Sequence, residues 1–420
     1  MSAEPRRDYL LDVPEAVARV LADVHTLTSE TMPLLGALGR VLACDVTSGL
    51  TLPAWDNSAM DGYAVRGVDL AHLPATLRVI ELVAAGQFPT REVGAGEATR
   101  IMTGAPTPAG ADTVVRVEDT DGGIERVEIR AARDAGKNVR PRGEDIVEGR
   151  VVMTRGTALG AAQLGVLAAV GCATVSVCRA PRVAILTSGD ELVELERFDE
   201  VRAGRKIVSS NSYTLQALVR EAGGEPVYHG IAADTRESLR SHLERAQGAD
   251  FMITSAGVSV GEFDYVRDVL RELGADMKFW RVRMRPGAPI GFGILGGTPW
   301  IGLPGNPVST MVTFELFARP AIRKLRGHTR PFRRPFPVRL EEPVSTSADL
   351  THFLRAIVTH RGSQSTARLT GPQGSGILTS MSVANALLIV PRDRANVSAG
   401  EQLNALALGG DADFAEAFAL

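Results

Sequence analysis

Between residues 181 and 325 short apolar runs alternate with amphipathic stretches, and that alternation limits the fold more than any other feature of the chain. "PRVAILTS", "ADFMITSA" and "TPWIGL" have the length and composition of buried strands. "NSYTLQALVREAGG" instead spaces Leu215, Leu218, Val219 and Ala222 for one helical face ending at Gly223. "DTRESLRSHLERA" repeats the helical theme with Asp234 and Glu237 in capping-box positions, which gives Asp234 a purely structural reading as an N-cap. "DYVRDVLRELG" and a long helix over "VSTMVTFELFARPAIRKL" complete the series. Strand and helix in turn predict a mostly parallel sheet covered on both faces.

The flanking text differs. Residues 12 to 24 place Val13, Val17, Val20, Leu21 and Val24 on one helical face, with Asp12 as N-cap. From about 45 to 140, short runs broken by Gly, Pro and Asp indicate a small β-rich unit. A Gly- and Arg-bearing bridge then leads to an apolar helix over 157–171, so the β-rich unit reads as an insertion. Proline-dense "RPFRRPFPVRLEEPVS" opens a last unit of short strands. The expected division is 1–50 with 140–178 as one discontinuous unit, 51–139 as the inserted β-rich domain, 179–329 as the α/β domain and 330–420 as the C-terminal β domain.

With 420 residues the chain exceeds a single core. A net charge of -3 gives no global field for nucleic acid, and no run of about 18 apolar residues predicts a membrane span. Three cysteines without metal spacing fit reduced thiols, and a cytoplasmic protein is expected.

In an open α/β sheet, ligands gather where the strands end. Three loops there have unusual content: "TSGDEL" with Ser188 and Gly189, "SAGVSVGEFD" with Ser255, Gly257, Ser259 and Gly261, and "GLPGNPVST" with Pro304, Gly305, Asn306 and Pro307. Their backbone N–H groups and hydroxyls suit phosphate. Asp190, Glu191, Glu262 and Asp264 beside such loops make sense if a divalent cation, naturally Mg²⁺, accompanies the ligand; each could instead cap a helix. Arg281, Arg283 and Arg285 alternate with Val282 and Met284, so on a strand they share a face that suits an anion or simply meets solvent. "GFGILG" matches a dinucleotide fingerprint but precedes a turn and a strand, so it is refused as such a site. "DNSAMDGY" reads first as a turn in which Asp56 bonds nearby backbone.

Taken together, "DNSAMDGYAVR", "RIMTGAPTPAGAD", "RPRGEDI", "TSGDEL", "SAGVSVGEFDY", "GLPGNPVST" and "GSGILTSMSVAN" occur in this order along nearly the whole chain. The sequence resembles the MoeA, or molybdopterin molybdenumtransferase, family, which includes the E domain of gephyrin. The resemblance implies a multi-domain α/β and β protein. Its parts are a central three-layer α/β/α molybdopterin-binding domain, an inserted β-rich domain, a helical and extended N-terminal domain and a C-terminal β-barrel-like domain. It further implies a homodimer in which the partner's β-rich domain closes the cleft. The implied activity inserts molybdate into adenylylated molybdopterin with Mg²⁺-dependent release of AMP, downstream of a molybdopterin adenylyltransferase. By motif, the family's functional acids fall on Asp61, Asp145, Glu191, Asp234 and Asp264, with Thr103 in the cleft and Glu191 and Asp264 as expected metal ligands. Arg281 and Arg285 stand at two positions where relatives often carry lysine, and Ala288 at a third. Alternatives are a tungstate-inserting paralogue, a non-catalytic pterin- or peptide-binding scaffold, and a Mg²⁺-dependent hydrolase using the α/β domain alone.

Overall fold

A computed structural model of the chain describes residues 10–256, 265–362 and 364–409. At its centre lies a seven-stranded sheet. Arg182–Ser188, Glu225–Ala232, Phe251–Ser255 and Thr298–Leu303 run parallel, while Pro289–Leu295 is antiparallel to Thr298–Leu303 on one side and to Asp276–Val282 on the other. Both faces are buried. On Arg182–Ser188, Val183 and Ile185 join a core with Leu215, Leu218 and Val219 of helix Ser210–Glu221 and with Val308, Val312 and Phe314. Ala184 and Leu186 point the other way, toward Leu239 and Leu243 of helix Arg236–Arg245 and Val266, Val269 and Leu270 of helix Tyr265–Glu272. The period-2 geometry of a strand feeding two helical layers produces the three-layer unit expected from the alternating pattern.

The N-terminal helix Val13–Ala22 also belongs to this core. Ala16, Val20 and Val24 are fully buried in it, and Leu10–Leu11 adds a parallel strand beside Asp276–Val282. The apolar face of this first helix, within the expected 1–50 with 140–178 unit, is buried on the central sheet. Farther along, Ser29–Pro33 pairs with Thr174–Cys178, and Val46–Thr47 with Val151–Met153, around a small core containing Leu42, Leu159, Leu167 and Val177.

Two further β units flank this frame. Thr113–Arg116, Gly62–Val65, Glu97–Ile101, Ala75–Val83 and Arg126–Ile129 form a five-stranded sheet, in that order. In the C-terminal region Thr351–Arg361, Gln364–Leu369, Phe336–Leu340, Gln402–Ala407 and Ala386–Val390 pair in sequence, and the last pairs back to the first. That closure makes a small barrel of these five strands.

Several local expectations change. The long helix near residue 307 is composite: Pro307–Thr313 is α-helical, Phe314–Ala318 is a π-turn, and Arg319–Leu325 resumes the α-helix. Pro320 has no N–H to donate to the preceding turn, and the wider turn accommodates the loss. Asp234 is not the N-cap of the helix that follows; Thr235 is, its side chain accepting from Ser238 N at 3.2 Å. The Arg281 to Arg285 run is broken at Arg283: Asp276–Val282 belongs to the central sheet and Met284–Arg285 to the barrel sheet. Burial still alternates, with Val282 and Met284 inside, but the arginines do not share one continuous strand face. No helix among the described residues is long and apolar enough to cross a membrane.

Candidate functional site

A cavity of about 430 Å³ opens where the parallel strands end. Thr187 and Ser188 close Arg182–Ser188, Ser255 closes Phe251–Ser255, and the loop after Thr298–Leu303 contributes Pro304, Gly305, Asn306 and Pro307. A fourth wall is the entry to helix Ser210–Glu221, with Ser209, Ser210 and Asn211. The rim is hydroxyl-rich because two of its strands finish in Ser, and backbone N–H groups at helix starts add donors.

Asn211 ties two walls together. Its Nδ2 donates to Ser255 Oγ at 2.9 Å and to Gly305 O at 2.8 Å. Because a backbone carbonyl can only accept, the amide orientation is fixed. Its Oδ1 is buried without a hydrogen-bond partner among the described residues, so Asn211 retains one acceptor for a ligand that carries a donor.

Acidic groups gather at the loop that follows Ser188. Glu191 lines the cavity, and its carboxylate would lie 2.6 Å from a Cβ added at Gly189, a residue at φ +148°. Asp190 and Asp234 bind each other reciprocally: Asp190 N donates to Asp234 Oδ2 at 3.3 Å and Asp234 N to Asp190 Oδ1 at 3.1 Å. Burial, together with the charges of Asp190 and Glu191, raises the Asp234 carboxyl above its ordinary value. Lys206 donates its Nζ to the Asp190 carbonyl. Behind the cavity wall, Tyr228 donates its hydroxyl to Glu194 Oε1 at 2.7 Å and lies 3.3 Å from Thr187 Oγ1.

Asp61 and Thr103 meet elsewhere, in the β-rich unit. Thr103 N and Thr103 Oγ1 both donate to Asp61 Oδ1, each at 2.7 Å. These two bonds, the backbone one first, lower the Asp61 carboxyl below its ordinary value. Asp56 does not bond nearby backbone: its Oδ1 accepts from Arg142 N at 2.6 Å, 86 residues along the chain. Ser58 closes the local turn instead, accepting from Met60 N at 3.3 Å. The bridge that follows carries exposed Asp145, whose N donates to Leu52 O at 3.2 Å. The segment Val139–Arg140 pairs with Asn57–Ser58, so Asp145 is anchored close to the chain that leads to Asp61.

The expected site residues therefore separate. Ser188, Ser255, Pro304, Gly305, Asn306, Pro307 and Glu191 line the central cavity; Gly189 and Asp234 adjoin it. Asp61, Thr103 and Asp145 lie in or beside the β-rich unit, and none lines that cavity within one chain. Arg281 and Arg285 are exposed and line it neither, because their strand segments pair with Leu10–Leu11 and with Thr351–Arg361. Gly257, Ser259, Gly261, Glu262 and Asp264 lie outside the described residues. Among the described residues no cluster of three or more acidic, His or Cys side chains converges as a metal cage. Sequence reasoning missed Ser209, Ser210 and Asn211; the polar run "SSNS" at a helix entry is the signal that marks them.

Family models match three stretches of the chain. Residues 11–171 match the MoeA N-terminal region (domain I and II), 184–324 a probable molybdopterin binding domain, and 337–408 the MoeA C-terminal region (domain IV). A molybdopterin molybdenumtransferase 2 from Mycobacterium tuberculosis is 40% identical over 383 residues, covering 89% of this chain and 93% of its own. A molybdopterin molybdenumtransferase from Nostoc sp. is 38% identical over 390 residues, covering 90% of this chain and 89% of its own. Among solved structures, a molybdopterin biosynthesis moeA protein from Pyrococcus horikoshii OT3 superposes with a TM-score of 0.83 at 28% identity, covering 95% of this chain and all of the other.

Proposed function

The chain belongs to the MoeA family of molybdopterin molybdenumtransferases, and from that premise we propose that it inserts molybdate into adenylylated molybdopterin, with Mg²⁺-dependent release of AMP. The observation that carries this reading is the chemistry of the central cavity: strand-end hydroxyls and helix-entry N–H groups suited to phosphate share the cavity with Glu191, beside the Asp190 and Asp234 pair. A phosphate cradle alone would be weakened by those acids, so a cation between the two is the arrangement that satisfies both.

The residues fit Mg²⁺. Burial first, and then the charges of Asp190 and Glu191, raise the Asp234 carboxyl, so a cation placed there would be favoured. Mg²⁺ ordinarily takes one or two carboxylates and completes its shell with water and substrate phosphates, which agrees with the lack of a full protein cage among the described residues. Glu191 is the proposed ligand within the described residues, joined by Asp264. When bound, the ion would offset charge developing on the cleaved phosphate. Ser188, Gly189, Ser255 and the segment Pro304 to Pro307 would orient the phosphate and pterin. The free Oδ1 of Asn211 would accept from a ring N–H, which anchors the heterocycle without competing for the anion.

Asp61 and Thr103 complete the proposal as a pair supplied to the cavity by the β-rich domain of a second copy in a homodimer. The support is that Asp61 is held ionised by Thr103 yet does not line the central cavity in its own chain. Asp145 would enter from the same side. Arg281 and Arg285 would act at the rim as anion-attracting groups, in a cytoplasmic protein that receives its substrate from a molybdopterin adenylyltransferase. The proposed domains are 51–139 for the β-rich unit, 179–329 for the cavity-bearing unit, 330–420 for the barrel and 1–50 with 140–178 for the linker.

The test is incubation of purified protein with adenylylated molybdopterin and Mg²⁺, with molybdate or tungstate, following AMP. Release stimulated by molybdate is expected; release without any oxyanion dependence would replace the transferase with a hydrolase. A second copy can be tested by mixing Asp61→Ala and Glu191→Gln chains, since sites formed across two copies regain activity in the mixed dimer.

A further inference from the structure

A second cavity, of about 450 Å³, lies away from the strand ends, where the N-terminal helix, the linker strands and the last turn of Arg319–Leu325 meet. Its polar lining is Thr26, Arg155, Lys324, His328 and Thr329. No carboxylate is among its lining residues, whereas the central cavity is lined by Glu191 and by no Lys or Arg among the described residues.

Two glycines shape this pocket. Gly156, at φ +83°, brings its loop so close that an added Cβ would stand 2.7 Å from Thr329 Cγ2. Gly327, at φ +84°, packs against Cys178, whose Sγ would be 2.5 Å from an added Cβ. Both positions demand a left-handed backbone and leave no room for a side chain.

The charged residues that line the pocket are all basic. Arg155, Arg323, Lys324 and Arg326 form no ion pair among the described residues, and the side-chain bonds of the last three go to neutral acceptors. Lys324 Nζ donates to Leu21 O at 2.7 Å, and Arg326 Nη2 to Gly39 O at 2.9 Å while its Nε is buried without a partner among the described residues. Arg323 Nη2 lies 3.3 Å from His328 Nδ1. A guanidinium only donates, so Nδ1 accepts and the neutral ring carries its proton on Nε2. Among the carboxylates near this junction, Asp45 accepts from the Arg155 backbone N at 2.7 Å and Glu30 pairs with Arg40. Burial and the neighbouring Arg323 and Arg326 hold His328 down at about 4, and burial with Arg40 and Arg323 lowers Arg326 to about 10. Burial is the larger cause of both shifts, and the neighbouring guanidiniums add to it.

We propose that this junction binds a small tetrahedral oxyanion between Arg155 of the linker and Lys324 and His328 at the end of the helix, fastening the linker unit to the central unit. Phosphate, sulfate and molybdate share the required charge and shape, and lysine and hydroxyl donors accept any of them. The inference is independent of the reading of the central cavity, because no residue lines both pockets.

Equilibrium dialysis of the full chain against radiolabelled phosphate, sulfate and molybdate in turn tests it. Arg155 is exposed, so Arg155→Glu leaves the fold intact; Lys324→Met provides a second variant. Wild-type protein should bind one equivalent per chain that both variants lose or bind about tenfold more weakly or worse, for all three anions if the site is general and for molybdate alone if it selects. Arg155→Glu should keep oxyanion-dependent AMP release at saturating substrate. Equal stoichiometry and affinity in wild type and both variants, for all three anions, overturns the proposal.

Discussion

Asp61 and Asp234 are both carboxylates beside turns, yet the chain treats them in opposite ways. Asp61 receives two donors from Thr103 on one oxygen and is stabilised as an anion. Asp234 is half-buried, faces Asp190 and Glu191, and is penalised as an anion. A group held ionised is suited to fixed electrostatic or proton-accepting work. A group whose charge is resisted marks a place where positive charge from outside the chain is welcome. The two regions therefore differ in how they hold negative charge: in one it is stabilised by donors from Thr103, and in the other it is resisted by burial and by neighbouring acids.

Breaking the first half of this contrast should have the largest effect. Asp61→Ala should lower oxyanion-dependent AMP release by about a hundredfold or more, while pterin binding to the central cavity, measured by fluorescence, survives. Equal turnover would return "DNSAMDGY" to the status of a turn. Next, Asn211→Ala removes the amide that joins Ser255 to Gly305. It should cost about 1–3 kcal/mol in denaturant unfolding and weaken pterin binding, with little change in kcat at saturation.

Thr103→Val sharpens the comparison, because the backbone N still donates to Asp61 and only the hydroxyl is lost. Turnover should fall by about tenfold, and the acidic limb of its pH profile should move to higher pH as the Asp61 carboxyl returns toward its ordinary value. The smallest effect is expected at Asp234. Its raised carboxyl gives a stabilising contribution that is complete below the ordinary value of 3.8 and is lost as pH rises through the raised value. Asp234→Asn keeps an acceptor for Asp190 N and removes that dependence. The melting temperature at neutral pH should rise by about 1 °C, and its slope across the acidic range should flatten. Asp61 has the opposite sign: its contribution is present above 3.8 and disappears as pH falls through the lowered value.

The central unit was legible because its signals are local. Apolar runs ending in Ser specify buried strands with hydroxyls at their tips, and Leu215, Leu218 and Val219 mark the buried face of the helix between them. The order of the long motifs carried the family, and "GFGILG" is no dinucleotide site because Pro289–Leu295 is a strand followed by a strand. The helix caps and strand breaks were less legible. Thr235 took the cap from Asp234 because one residue of chain geometry decides which oxygen reaches Ser238 N.

The amino-acid sequence by itself determined the strand and helix alternation, the hydroxyl-rich strand ends and the presence of Asp61, Glu191 and Asp234, since these depend on residue type and short spacing. Only the tertiary structure decided that Asp56 bonds Arg142 across 86 residues, that the first helix joins the central core, that Asn211 bridges two loops, and that Arg155 meets Lys324 and His328 across a pocket without acids. Such contacts unite residues far apart in the chain, and no local pattern records them. Their energy comes from packing and charge in three dimensions, where the neighbours of a side chain are set by the whole fold.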